Sequence, residues 1–388
     1  MAESKGRLLS LLMVVQMASS FRLGVIAPIL ALLIYRHGVS IIEIGVLGVA
    51  GMLGWFIFEP MSGVISDRVN RRLMLAFSIV STSIIYLLYP FATDFSHYLI
   101  LAFALSSFSS AASVPTRALL SELLPSTGRG HTYGRYMAIV SGSSVIAPFV
   151  GGFVSDNIGY AVPFYAAAGV GVVSLTAVLL MGNLPEAETK AQRQKTNLRE
   201  VVNGDLLSIY TVRGLYFFNS PFRSNFLPIL LNESTLHASV TEIGTFMTIA
   251  GFTAAVAQFF LGDLIDRVGT SRVVTAVCVL FALSYLTLLA VSWVPLLFLI
   301  GAVQGVLQAG ADTSMMMHLM NLPSEGKIGV VMGLYAESEN IGGIAANPAI
   351  GYVYTAWGPL SSLILLSGIL LTTAGISSAR LRAKPTAS

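Results

Sequence analysis

Four arginines stand where long apolar runs leave little room for charge: Arg22, Arg117, Arg213 and Arg223. A charge at the centre of a bilayer costs about 2.5–3.5 kcal/mol on insertion scales, so each needs a partner, a ligand or a water-filled cavity. A guanidinium presents its donors as a planar fork that fits a carboxylate or a phosphate. Arg22 and Arg223 are therefore candidates to grip an anion, or else members of internal pairs with an acid such as Glu337 or Glu339. Ser19 precedes Arg22 by three residues and Asn219 precedes Arg223 by four, so both can assist on a helix. Arg22, Arg223, Arg117 and Asn219 form the candidate substrate-binding set. Among the acids, Glu59 lies at a depth similar to Arg117, and Asp312 at a depth similar to Arg213. Asp312 also ends a polar stripe, Gln304, Gln308, Asp312, which one helix face would present together. Desolvation favours a protonated carboxylate and a nearby arginine favours the ionised one, so a carboxylate held between the two can take up and release a proton. Glu59 and Asp312 are the candidates for that role; a permanent salt bridge is the alternative. His318 reads as a residue of the membrane boundary.

The elements that carry these residues are membrane helices. Of 388 residues 55% are hydrophobic and 11% charged, with a mean hydropathy of +0.77; soluble domains carry about a quarter charged residues. Apolar runs of about 20–25 residues recur, each long enough to cross ~30 Å of hydrocarbon as a helix. Their length and lack of alternation favour helices over a barrel. Twelve spans are expected, at about 10–34, 41–65, 73–92, 98–124, 136–155, 161–183, 207–231, 241–265, 273–292, 294–320, 328–354 and 359–378. The fold class is an all-α membrane protein of twelve transmembrane helices in two pseudo-symmetric bundles of six. The expected domains are 1–183 and 207–388, joined by a cytoplasmic linker at 184–206 that carries Lys190, Arg193, Lys195 and Arg199.

With the N-terminus inside, 17 of the 22 lysines and arginines fall in cytoplasmic segments and one, Arg36, falls outside. That bias places both termini in the cytoplasm by the positive-inside rule, and the host is expected to be a plasma (inner) membrane. Trp293 and Trp357 fall near the outer boundaries. Cys278, the single cysteine, excludes an internal disulfide framework and a cysteine-built metal site. No phosphate-binding Gly-x-x-x-x-Gly-Lys-Ser/Thr loop, metal spacing or nucleophile elbow occurs, which disfavours an ATP-driven pump and a membrane enzyme. No cofactor or metal is expected.

The chain is also written twice, at a period between 199 and 201 residues. Phe21-Arg22 with Pro28 returns as Phe222-Arg223 with Pro228. Ser40-x-x-Glu43-Ile-Gly45 returns as Ser239-x-x-Glu242-Ile-Gly244, and Pro148-x-x-Gly151 returns as Pro348-x-x-Gly351. Duplicated halves with a binding site between them are a common plan for membrane transporters.

The loop after the second span reads Gly63-Val-Ile-Ser-Asp67-Arg68-Val-Asn-Arg71-Arg72, and its second copy keeps Gly262, Asp266 and Arg267. With twelve helices in two halves, this pattern resembles the major facilitator superfamily, over essentially the whole chain. The resemblance implies a cytoplasmic gate formed by Gly63, Asp67, Arg68, Arg71, Arg72, Gly262, Asp266 and Arg267. Ala147-Pro148-Phe-Val-Gly151-Gly152 and Asn347-Pro348-Ala-Ile-Gly351 resemble a signature of the family's antiporters, with alanine and asparagine in place of its leading glycine. Pro148, Gly151, Pro348 and Gly351 are the implied helix-kink positions. Pro115-Thr-Arg117 through Glu122 and Pro125, followed by Arg129-Gly130 and Gly134, resembles the end of helix 4 in efflux-type members. By the same resemblance helices 1, 4, 7 and 10 line a central cavity, and all four arginines within spans fall on three of them.

The resulting expectation is a secondary active transporter that works by alternating access, is coupled to protons, and moves a small organic anion or amphipathic anionic solute as symporter or antiporter. One alternative is a multidrug or lipid exporter by proton antiport, with the arginines structural and Phe21, Tyr216, Phe217 and Phe218 making the binding surface. The other is a transport-dead sensor on the same fold, against which stands the lack of a soluble domain to relay a signal. The expected partners are a small-molecule substrate, protons and membrane lipid, with no nucleic acid, and the chain is expected to act as a monomer.

Overall fold

The computed structural model describes residues 2–66, 69–124, 129–182, 204–288, 290–322 and 328–381. Every regular element among them is helical. Among the described residues ten helices are long and apolar enough to span a membrane. Two sequence features reconcile that number with twelve. The longest candidate, Val330–Arg380, holds 51 residues and is interrupted at Gly358, whose φ of 81° and ψ of 174° suit only glycine. It therefore supplies two spans, with the exposed Trp357 beside the break. The seventh expected span is broken and so fails a test of continuous length. It consists of Gly204–Phe217, a short turn Asn219–Pro221, a π-turn Phe222–Phe226 and Leu227–Glu233. Pro221 and Pro228 cause this, since each removes a backbone donor and crowds the carbonyl four residues back.

The chain divides into two compact units. One comprises Met1–Glu43, Ala50–Ala191 and Ser239–Thr248; the other comprises Ile44–Val49, Gln192–Ala238 and Ile249–Ser388. The expected linker at 184–206 lies outside the described residues except for its last three, which open the helix Gly204–Phe217. In the first unit we label α1 (Ala2–Ile26), α2 (Leu30–Arg36), α3 (Ile41–Ser66), α4 (Arg71–Leu88), α5 (Phe95–Leu123), α6 (Arg129–Val145), α7 (Ala147–Asn157) and α8 (Val162–Leu180), the stretch Ile44–Val49 of α3 belonging to the second unit. Helix α1 packs on α8, α6, α7 and α5, and α4 packs on α5 and α8. Leu12, Val15, Leu75, Ile79, Leu119 and Val178 form the apolar centre of that packing. In the second unit we label α9 (Gly204–Phe217), α10 (Leu227–Glu233), α11 (Val240–Val268), α12 (Thr270–Leu288), α13 (Val294–Met320) and α14 (Ile328–Arg380), the start of α11 up to Thr248 belonging to the first unit. Helix α14 packs on α9 and α12, and α13 packs on α12.

Several repeated residues prove to be local punctuation. Ser40 and Glu43 form a capping box at the start of α3: Glu43 Oε2 accepts from the Ser40 amide (2.8 Å) and hydroxyl (2.6 Å). Ser239 and Glu242 repeat it before α11, where the Ser239 hydroxyl also accepts from the Glu242 amide (3.2 Å). Pro28 follows the end of α1 as Pro228 follows the π-turn, so both halves interrupt their first span a short step beyond the shared arginine.

Candidate functional site

Arg22 lies in the last turns of α1 and is only 3% exposed. Its guanidinium reaches across to α4, where Nη2 donates to Thr82 Oγ1 (3.2 Å) and Ser83 Oγ (2.9 Å). The Tyr86 ring centre is 4.9 Å from Cζ, within range of a cation–π contact. Both hydroxyls donate back along their helix, Thr82 to Ser78 O and Ser83 to Ile79 O, each at 2.7 Å. That leaves their lone pairs for the arginine. Arg22 thus bonds to α4 and not to Ser19, which lines the same cavity of about 310 Å³ together with Gln16, Trp55, Tyr86 and Arg117. Nε of Arg22 is buried and has no hydrogen-bond partner among the described residues.

Arg117, on α5, lies in the wall of this cavity and has a carboxylate: Nη2 is 2.9 Å from Glu59 Oε1, and Ser113 Oγ donates to the same oxygen at 3.3 Å. The arginine side chain is 68% exposed and the glutamate 16%, so Glu59 is the buried member of the pair.

The second unit holds a denser charge cluster. Arg213 Nη1 pairs with Asp312 Oδ1, while Nε and Nη2 meet Glu339 Oε1 at 2.8 and 2.7 Å. The rings of Tyr335 and Tyr216 lie 5.2 and 6.0 Å from its Cζ. One cation therefore faces two carboxylates. Tyr216 itself is buried against Phe281, a core position. Arg223 donates to the Gln308 side-chain oxygen. The expected partnership of Asn219 with Arg223 does not form, because a π-turn begins between them and shifts the i, i+4 stacking of an α-helix. Asn219 is buried with its Oδ1 unpaired among the described residues. The polar stripe on α13 serves three neighbours: Gln304 donates to Ser284 at 3.2 Å, Gln308 accepts from Arg223, and Asp312 accepts from Arg213. Glu337 accepts from Asn340 at 3.1 Å, so neither expected acid neutralises Arg22 or Arg223. Among the described residues no carboxylate lies within ion-pair distance of those two arginines.

Of the expected gate, Asp67 and Arg68 lie outside the described residues. Arg71 grips Glu122 through Nη1, 2.8 Å from both carboxylate oxygens, and Arg72 donates to Leu179 O at 2.7 Å. In the second copy Gly262, Asp266 and Arg267 occupy the last two turns of α11, which Gly269 ends at a φ of 93°. At the expected kinks the two copies differ. The helix breaks at Ile146 between α6 and α7, with Pro148 in the first turn of α7, whereas Pro348 lies inside the continuous part of α14. A side chain at Gly151 would run into the Val25 carbonyl of α1, and one at Gly45 would stand 3.6 Å from the Gly351 Cα. Asn347, in place of the signature's glycine, is fully buried and accepts from Asn225 Nδ2 at 2.9 Å. His318 is buried beside Thr270 Oγ1 at 3.2 Å.

Thr82, Ser83 and Tyr86 were not among the sequence candidates. Their signal was present: Ser78, Thr82 and Tyr86 recur every four residues on an otherwise apolar span, the same spacing as Gln304, Gln308 and Asp312.

Internally repeated membrane helices with an arginine in the first span of each half describe a polytopic membrane protein. The chain belongs to the Major Facilitator Superfamily, whose family model matches residues 12–215 and 212–388. It is an integral, multi-pass membrane transporter and not an enzyme. An uncharacterised MFS-type transporter of Methanocaldococcus jannaschii is 23% identical over 92% of this chain and 93% of its own length. The quinolone resistance protein NorA of Staphylococcus aureus is 20% identical, with 70% of this chain and 73% of that protein covered. In fold the chain is similar to a bacterial homologue of the human lysosomal transporter Spinster, solved inward-facing and unoccupied (TM-score 0.79, 14% identity, 99% of each chain).

Proposed function

We propose that this chain is a secondary active carrier, coupled to protons and working by alternating access, that moves a small organic anion or amphipathic anionic solute. The observation that carries this reading is the division of the four arginines. Among the described residues, Arg117 and Arg213 have carboxylates, whereas the repeat-related pair, Arg22 and Arg223, have neutral partners alone. A guanidinium 3% exposed and not neutralised is costly to keep. An anionic substrate that supplies the missing charge explains why it is retained. Arg223 and Arg117 are the further candidates for anion contact.

Proton coupling is assigned to the acids. Arg213, Asp312 and Glu339 sum to one negative charge when both acids are ionised, so one proton brings the cluster to neutrality. Both acids meet the same guanidinium, so Asp312 is read together with Glu339. Glu59 sits in a one-to-one pair, where protonation would release Arg117 toward the cavity. The host is proposed to be the plasma (inner) membrane, with both termini cytoplasmic and the chain acting as a monomer. The cytoplasmic gate is proposed to comprise Gly63, Asp67, Arg68, Arg71, Arg72, Gly262, Asp266 and Arg267.

A second reading, multidrug export, draws on the NorA similarity and on Trp55 and Tyr86 in the cavity wall. Uptake into proteoliposomes under an imposed pH gradient separates the two, with organic anions in one arm and lipophilic cations in the other. Anion uptake that is lost in Arg22→Gln supports the first reading; cation transport that survives Arg22→Gln supports the second.

A further inference from the structure

A second cavity lies almost against the first. Between α4 and α8 runs an apolar crevice of about 400 Å³, lined by Val80, Ser83, Ile84, Leu87, Gly171 and Val172 among others. It opens on the lipid-facing surface: Val172 is 63% exposed, Ile84 51% and Leu87 44%. Its inner end meets the Arg22 cavity through a wall one side chain thick. Ile79 lines both spaces, and Ser83 lines the crevice while its hydroxyl accepts from Arg22 at 2.9 Å. Gly171 completes the wall: a Cβ there would stand 3.4 Å from Arg22 Cζ and would collide with the Ser83 hydroxyl. Glycine is what keeps the seam open between hydrocarbon outside and a guanidinium inside.

We propose that this crevice is the binding subsite for the hydrocarbon tail of the transported substrate, a single-chain amphipathic anion whose head group is held at Arg22. The proposal rests on the anion reading above and narrows it. Charge and polarity complementarity argue for this occupant. The crevice is almost wholly apolar, its inner end touches a buried cation with an unpartnered Nε, and its outer end meets lipid. A short hydrophilic anion would leave the crevice unused. An uncharged chain would leave the guanidinium unpaired. Only a molecule carrying both parts fills both spaces, and it would enter sideways from the bilayer, where such molecules concentrate.

The test uses the full-length protein in proteoliposomes with two probes, ethyl phosphate and dodecyl phosphate, whose binding is measured directly and by competition. Wild type should bind the dodecyl ester at least tenfold more tightly than the ethyl ester. Val172→Trp, which caps the crevice mouth away from Arg22, and Gly171→Val, which fills the seam, should each remove that chain-length advantage. Ethyl phosphate binding by Val172→Trp should stay within about twofold of wild type, which also shows that the variant is folded. Arg22→Gln should weaken both esters together. An advantage for the long chain that survives Val172→Trp overturns the tail subsite while leaving the anion reading intact. Failure of wild type to bind either ester overturns both. If phospholipid displaces the dodecyl chain equally well in wild type and Arg22→Gln, the crevice holds a resident lipid and not the substrate, which also contradicts the proposal.

Discussion

Arg22 in the first unit is buried and Arg213 in the second is part-buried, each on a span that opens its half, yet the two guanidiniums are satisfied in opposite ways. Arg22 rests on two hydroxyls and an aromatic ring. Arg213 rests on two carboxylates and two aromatic rings. Hydroxyls spread a positive charge without cancelling it; carboxylates cancel it and here overshoot by one. Among the described residues the first centre thus has no carboxylate, and the second has one carboxylate more than it has arginines. A carrier that couples an anion to a proton needs both kinds of centre, and separating them lets each ligand be recognised by its own charge.

The largest effect that sharpens this contrast is expected at Arg22. Arg22→Gln should lower kcat/KM for an anionic substrate by about 100-fold, on the order of 3 kcal/mol, the scale of a buried charge-assisted hydrogen bond. Arg22→Lys should recover part of that, because a point charge without a fork keeps attraction but loses bidentate geometry. Arg117→Gln should cost less, since Glu59 already cancels Arg117. In the second unit, Asp312→Asn with Glu339→Gln should abolish accumulation driven by a pH gradient while exchange of substrate at equal pH persists. Each single variant should retain partial coupling, because the remaining acid still faces Arg213.

Smaller effects test the frame that holds the two centres. Gly151→Leu should destabilise the protein by about 1–3 kcal/mol, read as a lower melting temperature in detergent, because the new side chain meets the Val25 carbonyl of α1. Ser239→Ala should cost about 1 kcal/mol by removing the capping box of α11, with transport kinetics unchanged. If Gly151→Leu were harmless, the close approach of α1 and α7 that holds Arg22 in place would be wrong.

Much of this architecture was legible in the sequence, because membrane helices announce themselves by length and the duplication supplies a second reading of every half. The depth matches Glu59 with Arg117 and Asp312 with Arg213 followed from the same logic, since a helix fixes height to residue number. What sequence could not show was lateral neighbourhood. Glu339 was weighed as a partner for Arg22 or Arg223 and instead meets Arg213, because height does not say which helix lies beside which. The Asn219–Arg223 pair failed for another reason: the π-turn changes the period on which i, i+4 spacing depends. Thr82 and Ser83 escaped notice because isolated hydroxyls are common in membrane helices, where they bond to their own backbone. The loop residues Asp67, Arg68 and Pro125 lie outside the described residues.

The most direct test of the central claim measures binding and accumulation separately in two proteins, Arg22→Gln and the double variant Asp312→Asn, Glu339→Gln. Anion binding is read at equal pH on both sides, and accumulation is read under an imposed pH gradient. The double variant should bind the anion with near wild-type affinity and fail to accumulate it, while Arg22→Gln should lose binding even with no gradient present. Unimpaired binding by Arg22→Gln, or gradient-driven accumulation by the double variant, would contradict the assignment of the anion to one centre and the proton to the other.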